Sequence, residues 1–288
     1  MTGITDFNLD KTGKIDLHAI YDQPDPRAYY QTLVNLDYKI PATAAPVFKQ
    51  AIEAFRKANG RQDITLLDVG SSYGVNAAVL RHGVDLASLF YLYRREKTKD
   101  LSRSTLVERD RKLFSEIRAD RSMRTIGLDV AGEAVSYAEE IGILDAGLAT
   151  DLEKRPPSVQ EESVLAPVDI VISTGAIGYV GAPTFTRILD CARTAPWLAL
   201  FSLRMFPVDK IASALGTRGY SFYRLRDRTF PQRRFASEDE SRKVLARLRE
   251  LKIDPAGREA EGWYHADFYF AWRQAGPGRP PVEGLVAL

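Results

Sequence analysis

Cysteine is almost missing from this chain. With Cys191 alone, no intramolecular disulfide can form, and no cysteine cage for zinc or an iron–sulfur cluster can be built. That usage fits a reducing compartment. Histidine is nearly as scarce, at three residues, and none stands at metal-ligand spacing from another. No run approaches the ~18 apolar residues of a spanning helix, and the opening "MTGITDFNLDKTGK" lacks the apolar core of a signal peptide. The expectation is a soluble, cytoplasmic protein with no membrane partner. Excess charge of one sign is also missing: a formal net charge of +2 argues against a nucleic-acid binder that works by bulk electrostatics. There is no internal repeat and no low-complexity tract.

What is present is a rhythm. Short apolar stretches, "ITLLDVG", "RTIGLDV", "AGLATDL", "VDIVISTG" and "WLALFSLRMF", alternate with helical patterns such as "NAAVLRHG", "EAVSYAEEIGI" and "TFTRILDCART". Such alternation predicts an α/β fold: a doubly wound, mainly parallel, Rossmann-like seven-stranded sheet with helices on both faces, six of whose strands are these five stretches and the closing "ADFYFAWRQ". "PDPRAYYQTLVNLDYKIP" and "PVFKQAIEAFRKANG", the latter with Pro46 in its first turn, predict two helices before the first strand. Residues 1–60 therefore read as an N-terminal arm and helical cap, and 61–288 as the sheet domain. Two segments fall outside the repeating unit, at about 94–124 and 216–236, and read as insertions around the mouth of the sheet. The first carries an amphipathic helix with Leu106, Leu113, Phe114 and Ile117 inward. The stretch "LASLFYLY" at 86–93 would pack that insertion or form a homodimer surface.

The turn "LLDVGSSYGVN" ends the first strand. A glycine turn there lets backbone approach a ligand, and the next helix offers unpaired N–H groups. A dinucleotide fingerprint needs three glycines; here Gly70 and Gly74 are joined by Ser72 and Asn76, so a pyrophosphate is disfavoured.

The pattern resembles instead the first motif of the class I S-adenosylmethionine-dependent methyltransferases, acid-x-Gly-x-Gly-x-Gly, matched by Asp68, Gly70 and Gly74 with serine at the centre. "TIGLDVAGEAVSYAEE" resembles the family's second motif, "GLATDLE" its third site and "VDIVISTGAIGYV" its fourth. The resemblance covers residues 64–206 and implies S-adenosyl-L-methionine as cofactor and a small-molecule acceptor. It implies that Asp68 acts on the methionine amino group, directly or through water. Asp129, followed by Val130, would take both ribose hydroxyls, and Asp151 and Leu152 would face the adenine. Ser71, Ser72, Ser173, Thr174 and Gly175 would line the cradle. Asp129 follows Asp68 by 61 positions where about 20 is usual, which holds together only if 94–124 loops out.

For the rest of the site, Tyr21 and Tyr30 are expected to cover the cofactor. Arg228 and Arg233, in an arginine–aromatic segment, would grip a carboxylate or phosphate on the substrate, beside Tyr179 and Tyr264. His265, then His18, are the candidate bases. "STGAIGY" is unlike the Asn/Asp-Pro-Pro-aromatic motif of nucleobase-amine methylation, and Cys191 does not follow a proline as a pyrimidine-carbon nucleophile would. Two further readings stay open: an adenosyl-ligand-binding protein without turnover, and an NAD(P)-dependent oxidoreductase, although no Tyr-x-x-x-Lys pair supports the latter.

Overall fold

The computed structural model describes Asp10, Lys14 and residues 18–273; the side chains of His18, Ala19, Glu96 and Lys97 lie outside that description, as do the rest of the arm and the Pro/Gly-rich tail. Three helices come first, α1 (His18–Tyr21), α2 (Arg27–Asn35) and α3 (Ile40–Asn59). Next is β1 (Ile64–Val69), buried along its whole length as a central strand covered on both faces must be. Four helices follow, α4 (Val75–Leu80), α5 (Leu86–Arg94), α6 (Glu96–Lys99) and α7 (Arg103–Glu116), before β2 (Met123–Asp129). The alternation resumes with α8 (Gly132–Glu140), β3 (Ala146–Ala149), α9 (Val159–Leu165), β4 (Ile170–Thr174), α10 (Ala182–Cys191), β5 (Trp197–Leu203) and α11 (Asp209–Gly216). The last elements are β6 (Tyr220–Arg224), β7 (Phe230–Arg234), α12 (Glu238–Glu250) and β8 (Trp263–Arg273).

The sheet order is β3-β2-β1-β4-β5-β8-β6, with β7 also paired to β8. Strands β1 to β5 are parallel, and β8 runs antiparallel to β5, β6 and β7. The α/β expectation holds, with one strand more than predicted. β6 pairs with the second half of β8 (Tyr220↔Arg273 to Arg224↔Tyr269) and β7 with its first half (Phe230↔Ala266), so the two form one edge strand interrupted at residues 225–229. The 216–236 segment therefore carries two short strands at the sheet edge. An edge position tolerates its arginines and Pro231, which a central strand would not.

The 94–124 insertion does loop out. α5, α6 and α7 fill the space between α4 and β2, while β1 and β2 pair directly, Asp68 opposite Gly127. Asp110 anchors this lobe: fully buried, it accepts hydrogen bonds from Tyr93 (2.7 Å) and Tyr137 (2.5 Å) and pairs with Arg109. The 86–93 stretch is used within the molecule, since Tyr93 stacks on Tyr30 at 4.5 Å and Phe90 meets Tyr30 edge-on. α3 begins earlier than its sequence pattern suggests, with Pro41 in the first turn and Pro46 inside the helix; it stops at Gly60 in the left-handed conformation.

Apolar side chains gather on the two faces of the sheet. Leu66, Phe201, Phe268 and Phe270 face α3 on one side, and Leu67, Leu200 and Ala271 belong to the other core. Each large apolar side chain so buried contributes roughly 1.5–3 kcal/mol. Among the described residues, no helix is long and apolar enough to cross a membrane.

Candidate functional site

Strand order reverses between β1 and β4, and their carboxyl ends flank a crevice where open α/β sheets bind ligands. Asp68, the penultimate residue of β1, points to the α3 side and is 2% exposed. Asn76 Nδ2, in the first turn of α4, lies 3.1 Å from both carboxylate oxygens and 3.0 Å from Thr174 Oγ1 at the end of β4. Burial, reinforced by the negative charge of Asp129, pushes the Asp68 carboxyl up to about 7, while the Asn76 bond acts the other way. No arginine or lysine pairs with it among the described residues. A buried carboxyl in that state favours a cation beside it.

Asp129 ends β2 one strand away. Its Oδ2 accepts the Ser72 N–H (2.8 Å) and its Oδ1 the Ala131 N–H (3.0 Å), so one carboxylate ties the β1 turn to the start of α8. Each oxygen keeps a second lone pair. Burial raises this carboxyl as well, against the pull of those backbone N–H groups. Between the acids the turn is tight. Ser72 holds φ +47°, and Ser71 Oγ and Ser72 Oγ are buried with no hydrogen-bond partner. A Cβ on Gly70 would stand 2.5 Å from Ala176 Cβ, and one on Gly74 would stand 2.6 Å from Ile143 Cγ2.

The N-terminal helices close over this turn. Tyr73 Oη donates to the Gln23 carbonyl (2.8 Å) and accepts the Gln23 N–H (3.1 Å), and the Glu133 N–H donates to Asp22 (2.8 Å). Arg27 is spent on this closure: it pairs with Asp25 and donates to the carbonyls of Lys99 and Leu101. Tyr21 lies within electrostatic reach of Asp129 and Arg233, with its hydroxyl pushed up to about 12 by burial. It meets Tyr29 edge-on at 5.4 Å, and Tyr29 in turn meets Tyr38, which lies within reach of Asp68.

Not every expected residue comes to the crevice. Tyr30 is core, 1% exposed. Ser173 is consumed by a bond to the Val69 carbonyl (2.8 Å), which ties β4 to β1. Gly175, at φ +87°, backs onto Gln232. Asp151 accepts the Glu153 N–H and pairs with Lys154, which lowers its carboxyl, and Leu152 is buried. Val130 is 61% exposed directly beside Asp129. Asp169 lies at the opposite end of the sheet, bonded to the Thr65 N–H and Arg61.

Arg233, Tyr264 and Tyr179 do gather, on the Tyr21 side. Arg233 is 2% exposed, forms a two-pronged ion pair with Glu240 (2.7 and 3.0 Å) and lies over the Tyr264 ring at 4.7 Å. Tyr179 hydrogen-bonds Asp10 and sits under Lys14. His265 is placed otherwise. Side chains alternate along β8, so with Tyr264, Ala266 and Phe268 facing α3, His265 and Asp267 face the other side. There His265 Nδ1 meets Thr229 Oγ1 at 2.9 Å. Arg228 lies over the Phe230 ring and lines a cavity with Thr229, Arg258 and Asp267. The imidazole of His18 lies outside the described residues. Among them, no group of three His, Cys, Asp or Glu is placed to hold a metal ion.

Tyr73, Asp22 and Glu240 are the contributors that the sequence reading missed. Glu240 had a signal, the Ser-x-x-Glu of a helix start at Ser237, and its N–H is indeed capped by Ser237.

No family model and no curated protein matches the chain. Among solved structures it is similar to a TehB-like SAM-dependent methyltransferase from Corynebacterium glutamicum (11% identity, 77% of this chain and 86% of that one, TM-score 0.38). It is similar also to a magnesium protoporphyrin IX methyltransferase from Synechocystis with bound SAM (13%, 85% and 84%, 0.40). A third is an N-methyltransferase from Bradyrhizobium japonicum in complex with S-adenosylhomocysteine (10%, 86% and 98%, 0.40). Likeness at this level carries no argument about activity; the residues at the crevice have to supply it.

Proposed function

We propose that the chain is an S-adenosylmethionine-dependent methyltransferase acting on a small-molecule acceptor. The observation that supports it is the pairing of two buried acids, Asp68 and Asp129, across the Gly70–Gly74 turn at the point where strand order reverses, under a cap of tyrosines. The donor set suits the cofactor's polar ends. Asp68 favours an ammonium, and the spare lone pairs of Asp129 suit two adjacent hydroxyls. Val130 offers an apolar surface beside Asp129 for a ring.

A sulfonium methyl donor, when bound, supplies the activated methyl group itself. The chain's own task is then to orient and to exclude water. Proximity and orientation are worth about 7–11 kcal/mol in such displacements. The closure of residues 22–27 over the turn and the tyrosines around Tyr21 perform the exclusion. Arg233 is held by Glu240 in a buried ion pair, so its forked donors are already occupied. With His265 on the far face, the described residues bring no histidine to the crevice.

Calorimetric titration with S-adenosylmethionine, S-adenosylhomocysteine and NADH tests the reading. Binding of the two adenosyl ligands, lost in Asp129→Ala, supports it; binding of NADH alone overturns it. Adenosyl binding with no methyl transfer to any of a panel of amines, phenols and acids favours the binding-protein reading instead.

A further inference from the structure

The interruption of the edge strand creates a second cavity. β6 leaves β8 after Arg224, and β7 rejoins it at Phe230; the loop between them peaks at Asp227, held at φ +65°. The space beneath, about 670 Å³, is lined by Arg204, Arg224, Arg226, Arg228, Arg258 and Asp267 among others. It lies on the His265 face of β8, opposite Tyr264. Along the sheet, β6 is four strand spacings from β1, roughly 19 Å. This is not the crevice between β1 and β4.

Five arginines converge here against three carboxylates, Asp227 and Asp267 in the lining and Glu259 beside Arg204. Arg204 pairs with Glu259 at 2.7 Å and Arg224 with Asp267 at 2.8 Å. Arg226 and Arg258 form no ion pair among the described residues; Arg258 donates through Nε to Thr229. The positive potential shows on His265, which burial and then the charges of Arg204 and Arg258 push down to about 4. Two atoms of the lining are also unmatched. Arg204 Nε and Asp267 Oδ1 are buried without a hydrogen-bond partner, in side chains only 6% and 4% exposed. One is a donor and the other an acceptor, and leaving such groups unpaired is costly.

From this arrangement we infer that the cavity is a binding site for a small organic phosphate carrying a hydroxyl or amino group. The phosphate would meet the forked donors of Arg226 and Arg258. The ligand's O–H or N–H would meet the carboxylate of Asp227, which also lines the cavity. The site stands on its own residues, so it does not depend on what the crevice binds.

Glycerol 3-phosphate is the probe, titrated by calorimetry into the wild-type chain, the double variant Arg226→Gln/Arg258→Gln, Asp129→Ala and a control, Arg242→Gln. Arg242 is an exposed residue of α12 paired with Asp239. Circular dichroism checks that each variant is folded. The expected result is saturable binding to the wild type, weakened at least about tenfold in the double variant and unchanged in Arg242→Gln and Asp129→Ala. Three results would overturn the assignment: no saturable binding at millimolar probe, equal affinity in the double variant, or a comparable loss in Asp129→Ala, which would put the phosphate in the crevice.

Discussion

The side-chain amide of Asn76 is the only hydrogen-bond donor that the described residues supply to the Asp68 carboxylate, and it serves both oxygens while also holding Thr174. Asn76 stands where a dinucleotide fingerprint has glycine. Asn76→Ala should therefore leave a buried acid without its donor. We expect a loss of roughly 1–3 kcal/mol in urea unfolding at pH 8, and a smaller one at pH 5, where Asp68 is protonated in the folded state.

Asp68 should give stability a pH dependence of unusual sign. Its carboxyl is near 7 in the folded chain against an ordinary value of 3.8. The folded state thus holds a proton that the unfolded state has lost, and stability falls as pH rises from about 4 to 7. The full effect is on the order of 4 kcal/mol. Asp68→Asn should flatten that part of the profile, measured as denaturation midpoint against pH. For an ammonium-bearing ligand the dependence reverses, so S-adenosylhomocysteine should bind more tightly as pH passes through 7 in the wild type only.

Removing the Asp129 carboxylate should separate binding from folding. Charged hydrogen bonds contribute about 1.5–3 kcal/mol each, so Asp129→Ala should weaken S-adenosylhomocysteine by at least about tenfold. The Ser72 and Ala131 N–H groups also lose their acceptor, which should lower the melting temperature modestly. Calorimetry and thermal unfolding on one preparation give both numbers.

Glycine substitutions should sort by what surrounds them. Gly70→Ala combines φ +80° with a Cβ 2.5 Å from Ala176, whereas Gly83→Ala, at φ +66°, meets nothing within 4 Å. The backbone cost alone is about 1–2 kcal/mol. Gly70→Ala should exceed that and abolish ligand binding; Gly83→Ala should show only the backbone cost in chemical denaturation.

The insertion's anchor should be severe when cut. Asp110→Ala strands the buried hydroxyls of Tyr93 and Tyr137 and the charge of Arg109, for an expected 3–5 kcal/mol. Limited proteolysis should then cut first within residues 95–121.

How far these features are legible in the sequence differs by cause. Asp129 could be placed because a carboxylate ending an apolar strand carries a local signature, and the 61 intervening positions do not alter which strand pairs with β1. His265 could not, because the face that a strand residue occupies depends on which side α3 covers, and a shift of one residue inverts the answer. The β6–β7 edge was hidden by its composition: arginines and a proline read as loop, while pairing on one side only lets them be strand. Tyr30 looked like a partner of Tyr21, yet it is the neighbouring Tyr29 that meets Tyr21, because successive positions of α2 point in different directions and Tyr30 is turned onto Tyr93.

The place of β8 in the sheet has a consequence for how the chain reaches this fold. β8 follows β6 and β7 in the chain yet is inserted between them and β5, so until it emerges β5 has no neighbour on that side among the described strands. Its sequence "WLALFSL" is uncharged and buried throughout once folded. On a ribosome-bound or truncated chain it would be an open apolar edge, the kind that recruits another copy. Chains ended before Trp263 should thus aggregate rather than persist as a smaller folded unit.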